Sequence, residues 1–167
     1  STTLVSEDAQ SAVLKRTLDA TTYYVTISWE GAAKLREKSA NYFVLTPTDS
    51  VFTFPCQFTP QASASPILTF AEVQQASSGH WQNYWTQGAV ADFSQCTDVR
   101  AKELERRVVL SQYLLAIQCA GSPPPQETGL TYNSWFGKFH LEMIWWHQAQ
   151  FALWGHPELL DRTLSWY

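Results

Sequence analysis

Residues 21–29 read TTYYVTISW, and the period of this stretch decides what kind of chain this is. Tyr23, Val25, Ile27 and Trp29 fall on one side, with Tyr24, Thr26 and Ser28 on the other. Alternation of this kind in β-branched and aromatic residues predicts a half-buried strand. NYFVLT (41–46) and VFTFPCQF (51–58) repeat the signal downstream. Between them Pro47-Thr48-Asp49-Ser50 carries turn chemistry, a fixed φ at Pro and Asx hydrogen bonding at Asp. Pro55 has no backbone donor, which predicts an edge position for the last of these strands. Upstream, Ala12, Val13, Leu14 and Leu18 are spaced as one helical face, so residues 8–18 are expected to be a helix.

Beyond the polar, Pro-bounded linker TPQASASP (59–66) the period becomes helical. A short helix is expected over 67–75. A second should be capped by Ser77 or Ser78 and run through Trp85 to a stop at Gly88. Trp81 and Trp85 share a face of it. Asp98 is placed to cap a long helix, Val99 to Cys119, with a Glu103–Arg107 i,i+4 ion pair and an apolar stripe of Leu104, Val108, Leu115 and Cys119. Gly121 and Pro123-Pro124-Pro125 end it. A loop of about thirteen residues follows, and loops of that length within a domain are often functional. Phe139 to Trp154 reads as helix, stopped at Gly155, and Pro157 opens a last one. The apolar pattern is still running at Tyr167, so the final helix is expected to face a neighbour outside this sequence. No internal repeat is visible.

Composition narrows the function. Of 167 residues 45% are hydrophobic and 16% charged, which excludes an intrinsically disordered tail. Net charge is −4 and the longest basic block is Arg106–Arg107, so a nucleic-acid binder is set aside. No run of about eighteen apolar residues exists to span a membrane. The chain opens at Ser1 without a signal-peptide pattern, and its single Met is Met143, so it is expected to be processed or part of something longer. Cys56, Cys96 and Cys119 form no CxxC and read as buried hydrophobes or free thiols. The aromatic content stands out: 8 Trp, 7 Tyr and 9 Phe make 14% of the chain. Indoles in such number suggest a ring-lined binding surface or a core that needs large fillers.

Chemistry-bearing residues concentrate in PQETGLTYNSWFGKFHLEMIWWH (125–147). Gln126, Glu127, Asn133, Trp135, His140, Glu142, Trp146 and His147 lie in one loop and the stretch after it. Carbohydrate recognition needs aromatic faces for sugar C–H surfaces, and planar amides and carboxylates for hydroxyls. This segment holds both. The plainer reading is that Trp145, Trp146 and Trp154 fill a core, that His140 and His147 are ordinary satisfied histidines, and that Glu127 caps a turn. Other chemistries lack their motifs. HExxH, GxSxG, GxxxxGK[ST] and GxGxxG are all absent, and no metal ligand set or cofactor is indicated.

Between Gly79 and Tyr167 the strings HWQNYWTQGAVADFS, ELERRVVLSQYLLAIQCAG, PPQETGLTYNSWFGKFHLEMIWWH and ALWGHPELLDRTLSWY carry a resemblance. They resemble bacterial glycoside-hydrolase-type proteins of the six-hairpin glycosidase superfamily. Such proteins have an N-terminal β-sandwich, a helical linker and a catalytic (α/α)6 barrel. The resemblance implies an α+β chain: the end of a β-sandwich over 1–60, linker and first barrel helices over 61–96, and the start of an incomplete (α/α)6 toroid over 97–167. Gly129 to Lys138 would lie at the barrel mouth. Trp135, His140 and Glu142 are similar in placement to the aromatic-plus-acid motif that grips the sugar beside the cleaved bond in related disaccharide phosphorylases and glucoamylase-like enzymes. The Phe-Trp-Asp string of the phosphorylases is missing here, so hydrolysis and phosphorolysis both stay open. The superfamily's general acid would fall beyond Tyr167.

The expected function is therefore part of a glycoside hydrolase, acting on an oligosaccharide or glycoside by an inverting two-carboxylate mechanism. Trp135 and Trp146 would stack on sugar, and Asn133, His140 and Glu142 would bond hydroxyls, with Gln126 and Glu127 from the same loop. The rest of its own polypeptide is the expected partner, and the resemblance implies a periplasmic or secreted location. Two other classes compete. One is a non-catalytic carbohydrate-binding or scaffold protein of the same fold. The other is a helical interaction domain with every Trp in its core.

Overall fold

Strand β3 (Thr21–Ser28) is the sequence-predicted strand, and the antiparallel sheet is organised around it. A strand leaves two rows of backbone donors and acceptors unpaired, so β3 needs a neighbour on each side. β2 (Ser11–Leu18) supplies one, in register from Ser11 opposite Ser28 to Leu18 opposite Thr21. This overturns the expected helix over 8–18. The turn at Asp19, with φ 49°, folds the segment back onto β3, and Ala12 and Leu14 point to the same buried side two residues apart. Four apolar residues in a short run fit either period, and pairing with β3 decides between them. β1 (Thr2–Glu7) adds an outer strand with an irregularity between Leu4 and Ser6. β6 (Cys56–Thr59) closes the other edge, giving the order β1-β2-β3-β6.

The strand expected over 51–58 is thus confined to its last part. Pro55 sits just before β6, at the sheet edge as its missing donor requires, and its carbonyl still accepts the Ser28 N–H at 3.2 Å. β4 (Ala33–Ser39) and β5 (Tyr42–Pro47) form a separate two-stranded hairpin. β5 matches the expected strand. β4, KLREKS-rich and mostly exposed, has too little apolar alternation to be read from sequence. The computed structural model describes residues 1–63 and 67–167, so the end of the expected linker, residues 64–66, lies outside the described residues.

Helix α1 (Phe70–Gln87) is continuous, in place of the two helices expected. Its start is a reciprocal box: the Thr69 N–H donates to Glu72 Oε2 at 2.8 Å and the Glu72 N–H to Thr69 Oγ1 at 3.3 Å. With that cap in place, Ser77, Ser78 and Gly79 are carried through as helix interior, and α1 stops before Gly88 as expected. Close packing divides the chain inside this helix into two units, Ser1–Gly79 and His80–Tyr167.

In the second unit, α2 (Ala101–Cys119) starts two residues later than expected. Asp98 organises its entry, accepting the Arg100 N–H on Oδ1 at 2.8 Å and the Ala101 N–H on its carbonyl at 3.0 Å. Leu115 and Cys119 face the core, whereas Leu104, expected in the same stripe, is 52% exposed. The expected helix over 139–154 starts only at Met143. A π-helical turn, Trp145–Ala149, leads into a single α turn, α3 (Gln150–Leu153). The wider π turn lets consecutive residues share a side, so His147 and Gln148 are both buried while Trp145 and Trp146 are both exposed. Gly155, at φ 82°, ends α3, and Pro157 opens α4 (Pro157–Leu164) at its first turn.

The core of this unit is Tyr84, Cys119, Phe151 and Leu159, with Trp81, Trp85 and Leu115 packed against it. Trp81 and Trp85 stack 6.3 Å apart, Trp81 meets Tyr113 at 4.9 Å, and His156 lies flat on Tyr84 at 4.1 Å. Burial pushes the Cys119 thiol up to about 11, so it behaves as a small hydrophobe. Burial, aided by the Glu158 charge, also raises the Tyr84 phenol. At the C-terminal end of α2, Arg162 donates to the Ala120 carbonyl and Thr163 Oγ1 to the Gly121 carbonyl, both at 2.9 Å. These side chains satisfy carbonyls that a helix end leaves without internal partners. The final residues are partly covered by their own unit, Trp166 and Tyr167 packing on Phe139 at 4.8 and 5.6 Å.

Candidate functional site

The segment from Gln126 to His140 is a loop tied to itself. The Glu127 N–H donates to the Lys138 carbonyl at 3.1 Å, which holds the two arms side by side. The Gly129 N–H turns back to the Gln126 carbonyl at 2.9 Å. The Gln126 side-chain amide reaches the Tyr132 carbonyl at 3.0 Å, and the Thr128 hydroxyl donates to that same carbonyl. At the tip Trp135, Phe136 and Gly137 follow one another at φ 49°, 59° and 68°. Glycine adopts this left-handed region freely, but for a bulky side chain it costs on the order of 1–3 kcal/mol. Hydrogen bonds from Gly137 N–H to Ser134 and from Lys138 N–H to Trp135, at 3.0 and 3.2 Å, hold the turn. Its consequence is exposure: Trp135 is 62% and Phe136 93% open to solvent.

Two pairs of the expected site residues come together here. The side-chain oxygens of Gln126 and Asn133 flank Gly137, so a Cβ placed there would lie 3.3 and 3.4 Å from them. His140 Nε2 lies 3.4 Å from Glu127 Oε2, within ion-pair reach but not aligned as a hydrogen bond. His147, which the sequence reading left outside the sugar-contacting set, approaches Glu127 from the core. Burial holds its pKa below the ordinary imidazole value, opposed by a hydrogen bond to the Glu127 backbone and by the Glu127 carboxylate. Glu127 thus serves two imidazoles, one half-exposed and one buried. Glu142 and Trp146 do not join either pair. Both are exposed, and among the described residues Glu142 has no side-chain partner and Trp146 no ring contact. The helix starts only at Met143, so His140 and Glu142 precede it.

The plainer reading puts Trp145 and Trp146 in a core, and both are exposed, at 66% and 64%. Density of aromatic residues was the available sign for Trp145 and for Tyr132 and Phe136; periodicity alone put Trp145 inside. Trp154 is half-buried beside Gln150 in a hollow of about 220 Å³ on α2. Among the described residues no three His, Cys, Asp or Glu side chains are grouped to hold a metal ion. No helix is long and apolar enough to cross a membrane, again among the described residues.

The chain is therefore an α+β protein, with a small antiparallel sheet followed by helices. Comparison with protein-family models, with curated proteins and with solved structures gives no match.

Proposed function

We propose that this chain is part of a carbohydrate-active enzyme, a glycoside hydrolase in which its helices form the first part of an (α/α)6 toroid and its strands the end of a β-sandwich. The observation that carries the reading is the loop tip. Trp135 is exposed, and two residues further on the Gln126 and Asn133 amides flank Gly137 in the same turn. An indole face offers an apolar plane to sugar C–H groups, and an amide offers a donor and an acceptor to neighbouring hydroxyls. Trp146 adds a second exposed indole, and Glu142 an exposed carboxylate acceptor. His140, beside Glu127 and partly exposed, would be the imidazole for a hydroxyl.

In an inverting reaction one carboxylic acid protonates the leaving oxygen while a second carboxylate activates water. The resemblance places the acid past Tyr167, so the work of this stretch is to bind and orient the sugar, in a periplasmic or secreted enzyme. The test uses the intact polypeptide that contains this sequence, assayed against a panel of oligosaccharides and aryl glycosides. Glu142→Gln and His140→Ala should weaken sugar binding and turnover with circular dichroism unchanged. Unaltered binding and turnover in both variants would sink the assignment. Binding without turnover in the wild type would favour the non-catalytic relative of the same fold.

A further inference from the structure

Two sets of aromatic side chains in the second unit have different surroundings. Trp81, Tyr84, Trp85, Tyr113 and His156 pack ring against ring around the core. Tyr132, Trp135, Phe136, Trp145 and Trp146 are 62–93% exposed, and none packs on another ring among the described residues. Rings crowded in sequence but kept apart in space are not behaving as a hydrophobic cluster, which would collapse on itself. Two backbone devices hold them out: the left-handed turn at Trp135–Gly137 and the π turn at Trp145–Ala149. Both are unfavourable local conformations, sustained here to present side chains to solvent.

The polar groups interleaved with the rings say what should cover them. From Pro123 to Gln150 the sole Lys or Arg is Lys138, against Glu127 and Glu142. An anionic polymer or an anionic lipid surface would find one cation and two carboxylates, a poor electrostatic match. A neutral ligand rich in hydroxyls suits the amides and carboxylates, and several separate apolar faces suit a ligand with several repeating rings.

We propose that Tyr132, Phe136 and Trp145 add stacking subsites to those of Trp135 and Trp146, so that the stretch from Tyr132 to Trp146 binds an extended neutral glycan, several sugar units at once. The inference rests on the carbohydrate reading above and goes beyond it in naming chain length and charge of the substrate. Each occupied ring adds its own increment, so affinity should climb with length until the rings are used.

Isothermal titration of the intact protein with cello-, manno-, xylo- and malto-oligosaccharides, from monosaccharide to hexasaccharide, tests this. Oligogalacturonates serve as the acidic counterpart. In one neutral series the dissociation constant should fall about tenfold per added unit over several units, a step of one ring contact. Phe136→Ala and Trp145→Ala should remove the gain of the longer members and leave the shortest unaffected, with circular dichroism unchanged. Affinity that is flat from the monosaccharide upward overturns the extended site while leaving the carbohydrate reading intact. Tighter binding of the oligogalacturonates overturns the neutral assignment. No binding in any series removes the carbohydrate reading itself, and retention on phosphatidylcholine vesicles in that case assigns the rings to a lipid surface.

Discussion

A Cβ built on Gly88 would sit 2.2 Å from His156 Nε2 and 2.9 Å from the Trp154 carbonyl. His156 cannot step aside, because its ring is buried and lies flat on Tyr84. Gly79 is the opposite case, a helix-interior glycine with nothing within 4 Å of that position. Alanine should therefore act with opposite sign at the two sites. Gly88→Ala should cost about 1–3 kcal/mol through overpacking, and Gly79→Ala should gain about 0.5–1 kcal/mol by restricting the unfolded chain. Urea denaturation read by tryptophan fluorescence distinguishes them. His147 offers a second residue-level test. Its folded pKa is depressed, so on acidification the unfolded chain binds the proton first. The stabilisation is complete above the ordinary imidazole value, about 6.5, and is lost as pH falls through the lower folded value. Denaturation midpoints measured between neutral and mildly acidic pH should fall more steeply for the wild type than for His147→Gln. Equal slopes would show that His147 does not titrate differently in the fold.

Elements in the second unit are joined by side chains as much as by apolar contact. α4 reaches the end of α2 through Arg162 and Thr163, and Thr163 is fully buried. Thr163→Val keeps shape but leaves the Gly121 carbonyl without its donor. The loss should be about 1 kcal/mol, and amides at the last turn of α2 should exchange faster by hydrogen-exchange mass spectrometry. An unchanged exchange pattern would mean the cap is dispensable. The Glu103 pair with Arg106 and Arg107 contrasts with it. Both guanidiniums hold the Glu103 carboxyl down at about 2, yet all three side chains are well exposed, so solvent screens most of the benefit. The same logic explains the sheet. β2 carried a helix-compatible pattern, but β3 had donors and acceptors to satisfy, and ladder pairing outweighed local spacing.

At the scale of the whole molecule the two units hold cores of unequal size. Among the described residues of Ser1–Gly79 the buried hydrophobics are Ala12, Leu14 and Trp29, whereas His80–Tyr167 assembles Tyr84, Cys119, Phe151 and Leu159 with a shell of tryptophans. The smaller core should give way first. On heating, amides of β2 and β3 should lose exchange protection before those of α2, and a single coincident transition would count against this order. β3, β5, the long α2 and the stops at Gly88 and Gly155 were legible in the residues, because period, caps and glycine are local properties of the chain. Of the polar residues singled out in the sequence, Gln126 and Asn133 come together, as do Glu127 and His140, whereas Glu142 joins neither pair. Local sequence therefore determined that strands precede helices and that aromatic and polar side chains crowd together between Gln126 and His147. Tertiary structure decided which partner β3 takes, that α1 runs unbroken, and which indoles face water. Hydrogen-bond pairing across a sheet and burial of a ring both depend on residues distant in sequence, and no periodicity within one segment contains them.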